Sequence, residues 1–240
     1  KVYTASRKGA RFLVLLYDAE NGDMLAMIEA DRLGQMRTGA ASGVATKYMS
    51  RESARTLGVY GTGWQAESQM MAVCAVRQIT SARVYSRSAE RREAFARRMS
   101  TLLRVEVTAA ASPEEAAKDC SIIVTATSAR EPVLKGEWIE PGTHLNVVGS
   151  NFLAKAEIDL RAVGRASVIA VDSIEQSKIE AGDLMPAVER GVISWESVTE
   201  LGRIVAGRDR GRTSEEDITL FKSNGIALED ISTALGVYNL

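Results

Sequence analysis

The stretch TLGVYGTGWQA, residues 56–66, decides the fold. A short apolar run, Leu57 with Val59 and Tyr60, leads into Gly61, Thr62, Gly63, Trp64, Gln65 and Ala66. Residues 67–77 then continue as a helix with apolar Met70, Met71, Cys74 and Ala75. Strand, glycine turn and helix come in the order that a dinucleotide site requires. In such a turn Gly61 permits the tight bend, Gly63 lets the backbone approach a pyrophosphate, and small Ala66 replaces a third glycine where helix packs on strand. The helix N-terminus then turns its free N–H groups and positive dipole end toward the phosphates. An ordinary glycine-rich turn has the same composition, so the surrounding chain has to decide.

From this turn onward β-rich runs and helical patterns alternate. Strands are expected at 82–85, 105–108, 122–125, 144–148 and 167–171, and helices at 89–103 and 113–118, the latter capped by Ser112. Repeated βα units imply an α/β fold with a doubly wound parallel sheet. Ligands in such sheets bind beyond the carboxyl ends of the strands, which places Ala126, Thr127 and Ser128, and Gly149, Ser150 and Asn151, at a site. Residues 174–211 read as helices and loops, 218–222 as a strand and 226–240 as a closing helix.

Upstream of the turn, apolar runs at 11–17 (RFLVLLY) and 24–29 (MLAMIE) flank DAENGD, whose Asn21 and Gly22 mark a β-hairpin. Asp31 is placed to cap a helix reaching about Ser50, with Leu33, Met36, Ala40, Ala41, Val44, Ala45 and Tyr48 at helical spacing. Arg37 falls inside that apolar stripe. A buried guanidinium needs an anion, either a protein carboxylate in a structural ion pair or the carboxylate or phosphate of a ligand. Gly34, Gly39 and Gly43 each weaken the helix by about 1 kcal/mol relative to alanine, which points to close packing against its backbone.

The second strand of the nucleotide unit selects the cofactor. An Asp or Glu roughly 20 residues after the glycines favours NAD by accepting from the ribose 2′-hydroxyl. This chain has Tyr85, Ser86, Arg87 and Ser88 there. An arginine between two hydroxyls suits a 2′-phosphate, so NADPH is expected, with NADH possible. The plainer alternative is a solvated loop arginine. A site for S-adenosylmethionine, which also uses a glycine turn, wants an acidic residue at this place.

The whole-chain properties agree with a small-molecule enzyme. The 240 residues are 45% hydrophobic and 25% charged, and 30 Lys plus Arg nearly balance 31 Asp plus Glu. No net field favours nucleic acid or an anionic membrane. No apolar run approaches the ~18 residues of a membrane span. Cys74 and Cys120 form no Cys-x-x-Cys pattern and the one histidine, His144, builds no metal site, so no metal and a cytoplasmic setting are expected. His144, at the start of a strand, reads as a structural hydrogen-bonding residue, and Asp172, Glu180 and Asp183 as loop or capping groups. The first residues look like the middle of a domain, and a missing N-terminal segment is expected.

Taken together, MRTGAASGVATKYM (36–49), LGVYGTGWQA (57–66), VTATS (124–128), HLNVVGSN (144–151), KAEID (155–159) and FKSNGIALEDI (221–231) resemble the ornithine cyclodeaminase/mu-crystallin family of NAD(P)-dependent proteins. The resemblance implies a Rossmann-type domain at 49–222 and a second, smaller α+β domain at 1–48 and 223–240. That smaller domain would bind substrate and form a homodimer. The resemblance also implies that Arg37 holds the substrate carboxylate, helped by Lys1, which opens a strand upstream of the hairpin. A further substrate-binding arginine of the family lies in an upstream segment that this sequence lacks. Gly63, Trp64 and Gln65 match the pyrophosphate turn, and Ser86 and Arg87 the ribose site. Thr127, Lys155 and Ser223 match cofactor contacts, and Leu145, Asn146, Val147 and Val148 match the strand beneath the nicotinamide.

Asn151 departs from the cyclodeaminases, which carry an aspartate there to handle protons. An amide takes up no proton at neutral pH but still orients an imine or amine. The expected function is therefore NADPH-dependent reduction of a C=N bond in a small imino acid, either a cyclic ketimine carboxylate or a 2-oxo-acid imine. In reverse this is amino-acid dehydrogenation. The alternatives are an ornithine cyclodeaminase-type lyase with bound NAD, and a crystallin-like NADPH- and ligand-binding protein of low turnover.

Overall fold

In the computed structural model, which describes residues 1–6 and 9–240, the chain opens with an antiparallel sheet. Its strands β1 (Val2–Ser6), β2 (Gly9–Tyr17) and β3 (Met24–Glu29) lie in that order. The β2–β3 turn uses Gly22 at φ +79°, and the Asn21 side chain accepts from the Asp23 N–H. The expected hairpin is present. Helix α1 (Asp31–Met49) follows, but Asp31 does not cap it. The carboxylate turns back to the sheet instead, accepting from the Phe12 N–H at 2.9 Å and pairing with Arg11 at 2.5 Å. A free donor on the adjacent strand competes successfully for the carboxylate, whose charge still lies in the first helical turn where the dipole favours it.

The second sheet is parallel and has eight strands. They are β4 (Thr56–Tyr60), β5 (Ser81–Tyr85), β6 (Glu106–Ala109), β7 (Ile122–Thr125), β8 (His144–Val147), β9 (Val168–Val171), β10 (Val198–Glu200) and β11 (Thr219–Lys222). The spatial order is β10-β9-β11-β8-β7-β4-β5-β6. Alternation of side chains feeds a core on each face. Leu57, Val59, Ile122 and Val124 join Met70 of α2 (Trp64–Val76) and Phe95 of α3 (Ala89–Leu103). Tyr60, Ile123, Leu145 and Val147 join Ala162 of α5 (Leu160–Arg165) on the other face, α4 (Pro113–Ala117) preceding β7. Helices on both faces of a parallel sheet make the doubly wound α/β architecture that the sequence predicts.

Strand β10 lies within 174–211, where only helices and loops are expected. It has three residues and sits at the sheet edge, too short for an alternating pattern to register. The same region holds α6 (Ile174–Glu180), α7 (Met185–Glu189) and α8 (Leu201–Val205).

Helix α1 bridges the two sheets. Near its start Leu33 packs with Val14 of β2 and with Ala234 of the closing helix α9 (Ala227–Tyr238), and near its end Ala45 and Met49 pack with Ala170 and Phe221 of the parallel sheet. Its glycines let α2 approach. A Cβ on Gly39 would lie 2.5 Å from the Ser68 carbonyl oxygen, and one on Gly43 would lie 3.2 Å from the Ala72 Cβ. At Gly34 the nearest atom is the flexible Lys1 Nζ, at 3.7 Å. Gly39→Ala is therefore expected to lower stability by about 1–3 kcal/mol through overpacking. Gly34→Ala should raise it by up to about 1 kcal/mol. Urea unfolding of both variants checks the opposite signs.

Candidate active site

The strand order reverses between β4 and β7, and a crevice of about 1190 Å³ opens there beyond the carboxyl ends of the strands. The glycine turn forms its middle. Gly61 has φ +104°, and a Cβ on it would lie 2.3 Å from the Ala126 carbonyl oxygen, so no other residue fits without moving the β7 loop. Gly63 is the N-cap of α2 and offers no side chain to the first-turn N–H groups. A Cβ there would meet nothing within 4 Å. Helix α3 is the contrast, since its N-cap Ser88 accepts from the Arg91 N–H at 3.3 Å. An uncapped helix start behind an open glycine fits a pyrophosphate. Ala66 is buried where α2 meets β4, as its small size allows. Thr62, Trp64 and Gln65 line the crevice, with Trp64 58% exposed at the mouth and the Arg32 guanidinium 5.8 Å from its ring centroid.

Ser86, Arg87 and Ser88 line the crevice where β5 ends, together with Arg91. The Ser86 hydroxyl donates to the Ser88 carbonyl at 3.2 Å. Among the described residues neither Arg87 nor Arg91 has an ion-pair partner. Arg91 escapes the sequence reading, although recognising Ser88 as an N-cap places it four residues beyond Arg87 in the first turn of α3.

On the other side of the turn the crevice is lined by Thr127, Val148, Gly149, Asn151 and Ser223. Leu145 and Val147 are wholly buried in the core beneath it, because alternate strand positions feed the sheet faces and only the residue past the strand end reaches the crevice. Asn146 is buried as well, donating to the Thr46 hydroxyl at 3.0 Å. Lys155 lies outside the crevice lining, its ammonium 5.2 Å from the Phe152 ring centroid.

The floor at this end rests on a carboxylate for which the sequence reading has no role. Glu157 Oε1 accepts from the Thr127 N–H at 2.6 Å and the Thr127 hydroxyl at 2.7 Å. Its Oε2 accepts from the Gly149 N–H at 2.6 Å and the Thr125 hydroxyl at 2.9 Å. Burial, with a contribution from Asp183, pushes the Glu157 pKa up, while the Thr127 bonds and Lys222 oppose this. Asp183, expected in a loop or cap, is wholly buried and paired with equally buried Lys222 at 3.1 Å. Its Oδ1 accepts from the Glu157 N–H at 2.5 Å and the Ile158 N–H at 3.2 Å. The Lys222 ammonium also donates to the Ser150 carbonyl.

Arg37 reaches the crevice from α1. Its Nη1 lies 2.6 Å from Glu229 Oε2 and its Nε 3.2 Å from Asp230 Oδ1. Lys1 lies outside the crevice lining and pairs with the same Asp230 at 3.0 Å. Both cations that the resemblance puts on the substrate carboxylate thus meet in one cluster with two acids of α9. Burial pushes the Glu229 pKa up, against the pull of Arg37. Gly225, at φ +83°, closes over the guanidinium, and a Cβ there would lie 2.5 Å from Arg37 Nη1. Asp172 holds this loop in place, accepting from the Ser223 hydroxyl at 3.1 Å, the Asn224 N–H at 2.8 Å and the Gly225 N–H at 2.5 Å.

Burial raises the Cys74 and Cys120 thiols to about 11, so neither is a nucleophile at neutral pH. No described helix is long and apolar enough to cross a membrane.

The sequence profile of the ornithine cyclodeaminase/mu-crystallin family matches residues 4–240. Delta(1)-pyrroline-2-carboxylate reductase of Bacillus cereus is 38% identical over 233 residues, covering 97% of this chain and 71% of the relative. Among solved structures, Thermococcus litoralis Delta(1)-pyrroline-2-carboxylate reductase in complex with NADH and L-proline superposes with a TM-score of 0.92 at 41% identity, over 96% of this chain and 72% of that one. An archaeal alanine dehydrogenase dimer with bound NAD gives a TM-score of 0.87 at 36% identity, over 96% and 71%.

His144 is wholly buried on β8 and lies 2.9 Å from the Thr219 hydroxyl and 3.3 Å from Asn146 Oδ1. Burial lowers its pKa to about 3 from 6.5, so it stays neutral when folded and takes a proton on unfolding. The unfolded state then binds more protons below its own pKa, and stability drops as the pH is lowered. The expected loss from this group is about 1.5 kcal/mol between pH 6.5 and about 5. His144→Gln should flatten that part of the stability profile, which denaturant titrations at several pH values measure.

Proposed function

The chain belongs to the ornithine cyclodeaminase/mu-crystallin family, and we propose that it uses NADPH to reduce the C=N bond of a small imino acid. The chain is an NAD(P)-dependent oxidoreductase acting on C–N bonds. The observation that carries this reading is that one crevice holds both the uncapped glycine turn and the Arg37 guanidinium. A dinucleotide and a carboxylate-bearing substrate are thereby brought together, which is the positioning that hydride transfer needs.

When bound, the cofactor supplies hydride to the imine carbon. The protein residues bind and orient. The α2 N-terminus receives the pyrophosphate through its N–H groups, and Gly63 leaves room for it. Arg87 and Arg91 supply two guanidinium groups for a 2′-phosphate, and no Asp or Glu ends β5 to accept from a 2′-hydroxyl. Arg37 binds the substrate carboxylate, with Glu229 accepting from its Nη1 and Asp230 adding a second negative charge beside its Nε. Lys1, joined to Asp230, stabilises that arrangement. Asn151 orients the imine nitrogen with its amide. A protonated iminium already attracts hydride, so no residue has to deliver a proton to it during transfer. Asn151 has no proton-accepting form at neutral pH, which sets the cyclodeaminase lyase reaction behind simple reduction.

The names of the relatives support a cyclic imino acid, such as pyrroline-2-carboxylate, as the first substrate, and the imine of a 2-oxo acid as the second. Residues 1–48 and 223–240 form the substrate-binding part in this reading, and 49–222 the dinucleotide part. A homodimer fits the exposed apolar side chains of Tyr3 and Met27 on the antiparallel sheet and of Leu228 and Ile231 on α9.

Quenching of tryptophan fluorescence by NADPH and by NADH tests the cofactor assignment. NADPH should bind more tightly, and Arg87→Ala with Arg91→Ala should cut that advantage about tenfold or more, since a charge-assisted bond contributes about 1.5–3 kcal/mol. Equal affinities in the wild-type protein would contradict it. Arg37→Ala should raise KM for the imino acid about tenfold or more on the same basis, while leaving the NADPH affinity unchanged.

A further inference from the structure

Glu157 is an acid that the proposed reaction does not use, yet it is built into the floor of the crevice. Four donors converge on its two oxygens from Thr125, Thr127 and Gly149. The two N–H groups can only donate, one to each oxygen, while the two threonine hydroxyls complete the set. These four donors, with Lys222, favour the carboxylate form against burial and Asp183, which push its pKa up. Asp183 and Lys222 cancel one another as a buried pair. An ionised Glu157 then leaves the interior beneath the crevice one net negative charge. It lies one residue layer below the surface, because Thr127 and Gly149 line the crevice and bond directly to it. The backbone closes tightly over the carboxylate, and a Cβ on Gly149 would lie 2.5 Å from Glu157 Oε1.

The position of this charge along the crevice matters. Arg87 and Arg91 mark the adenosine end beyond β5, and the turn after β4 takes the pyrophosphate. The ends of β7 and β8, over Glu157, are left for the nicotinamide. An oxidised nicotinamide ring is cationic and a reduced one is neutral. Resting on the cofactor reading above, we infer that Glu157 is a positioning residue whose buried charge favours the oxidised over the reduced cofactor. The same charge favours a cationic iminium as substrate over its neutral imine. In a low-dielectric site the attraction is felt across a residue layer, and it requires no contact with the ring.

The readout is the ratio of Kd for NADP⁺ to Kd for NADPH, measured by fluorescence titration without substrate. Glu157→Gln removes the charge and keeps the shape, and the ratio should rise about fivefold or more, the scale expected for a unit charge acting through partly screened protein. Asp183→Asn leaves all four bonds at Glu157 in place and also makes the site less negative. It should move the ratio in the same direction by less. Lys222→Gln makes the site more negative and should move it the other way. Damage to the floor alone weakens both cofactor forms together and leaves the ratio where it was. An unchanged ratio in whichever of these variants folds, judged by circular dichroism, overturns the inference while the function stands. A wild-type protein that binds neither NADP⁺ nor NADPH removes the cofactor reading, and this inference with it.

Discussion

The structure turns on one buried carboxylate. Charges withdrawn from water are tolerated only when hydrogen bonds and opposite charges replace the solvent. Glu157 meets that demand with donors from the end of β7 and from the loop after β8, while its own N–H is held by Asp183 and, through it, by Lys222 of β11. Three neighbouring parallel strands are thus fixed at their carboxyl ends, where an α/β sheet binds ligands. VTATS, the adjoining HLNVVGSN and KAEID, and FKSNGIALEDI come from three separate parts of the chain and meet at this knot.

The opposite wall follows a different logic. Arg37 sits on a helix that spans both sheets, so its position relative to the glycine turn is set by the close packing of α1 on α2 at Gly39 and Gly43. Two acids of α9 then fix the guanidinium, and Asp172 fixes the loop that leads into α9. Acids and bases alternate from Lys1 through Asp230 and Arg37 to Glu229, so an incoming carboxylate enters a network in which charge is already largely balanced. Selectivity at such a site depends on geometry, in particular on which edge of the planar guanidinium remains for the ligand.

Much of this was legible in the chain. The strand, glycine turn and helix at 56–76, the helix at 89–103, the short helix after the Ser112 cap, and the strand at 122–125 follow from local chemistry, since each depends on spacing, capping or a backbone bend. Arg37 does pair with anions, but the apolar stripe that drew notice to it is not the buried face of α1: Ala40, Val44 and Tyr48 are exposed, and Gly39, Ser42, Gly43 and Thr46 face the interior. Long-range pairing was not legible. Glu157, Asp183, Glu229 and Asp230 look like ordinary surface acids in sequence, and only the fold brings them to Thr127, Lys222 and Arg37. Arg91 belongs to an intermediate class, being one helical turn from Arg87 and readable once the cap is recognised. Strand β10 is an edge strand of three residues, whose existence depends on pairing with β9 rather than on any pattern of its own.

The central claim is that the crevice reduces a C=N bond at the expense of NADPH. The most direct measurement incubates the protein with NADPH and a cyclic imino acid, following cofactor absorbance and the amino-acid product together, with a parallel reaction on ornithine and NAD. The account predicts loss of NADPH matched one for one by the cyclic amino acid, and no ammonia from ornithine. Release of ammonia from ornithine with no net change in cofactor, and no consumption of NADPH by the imino acid, would contradict it.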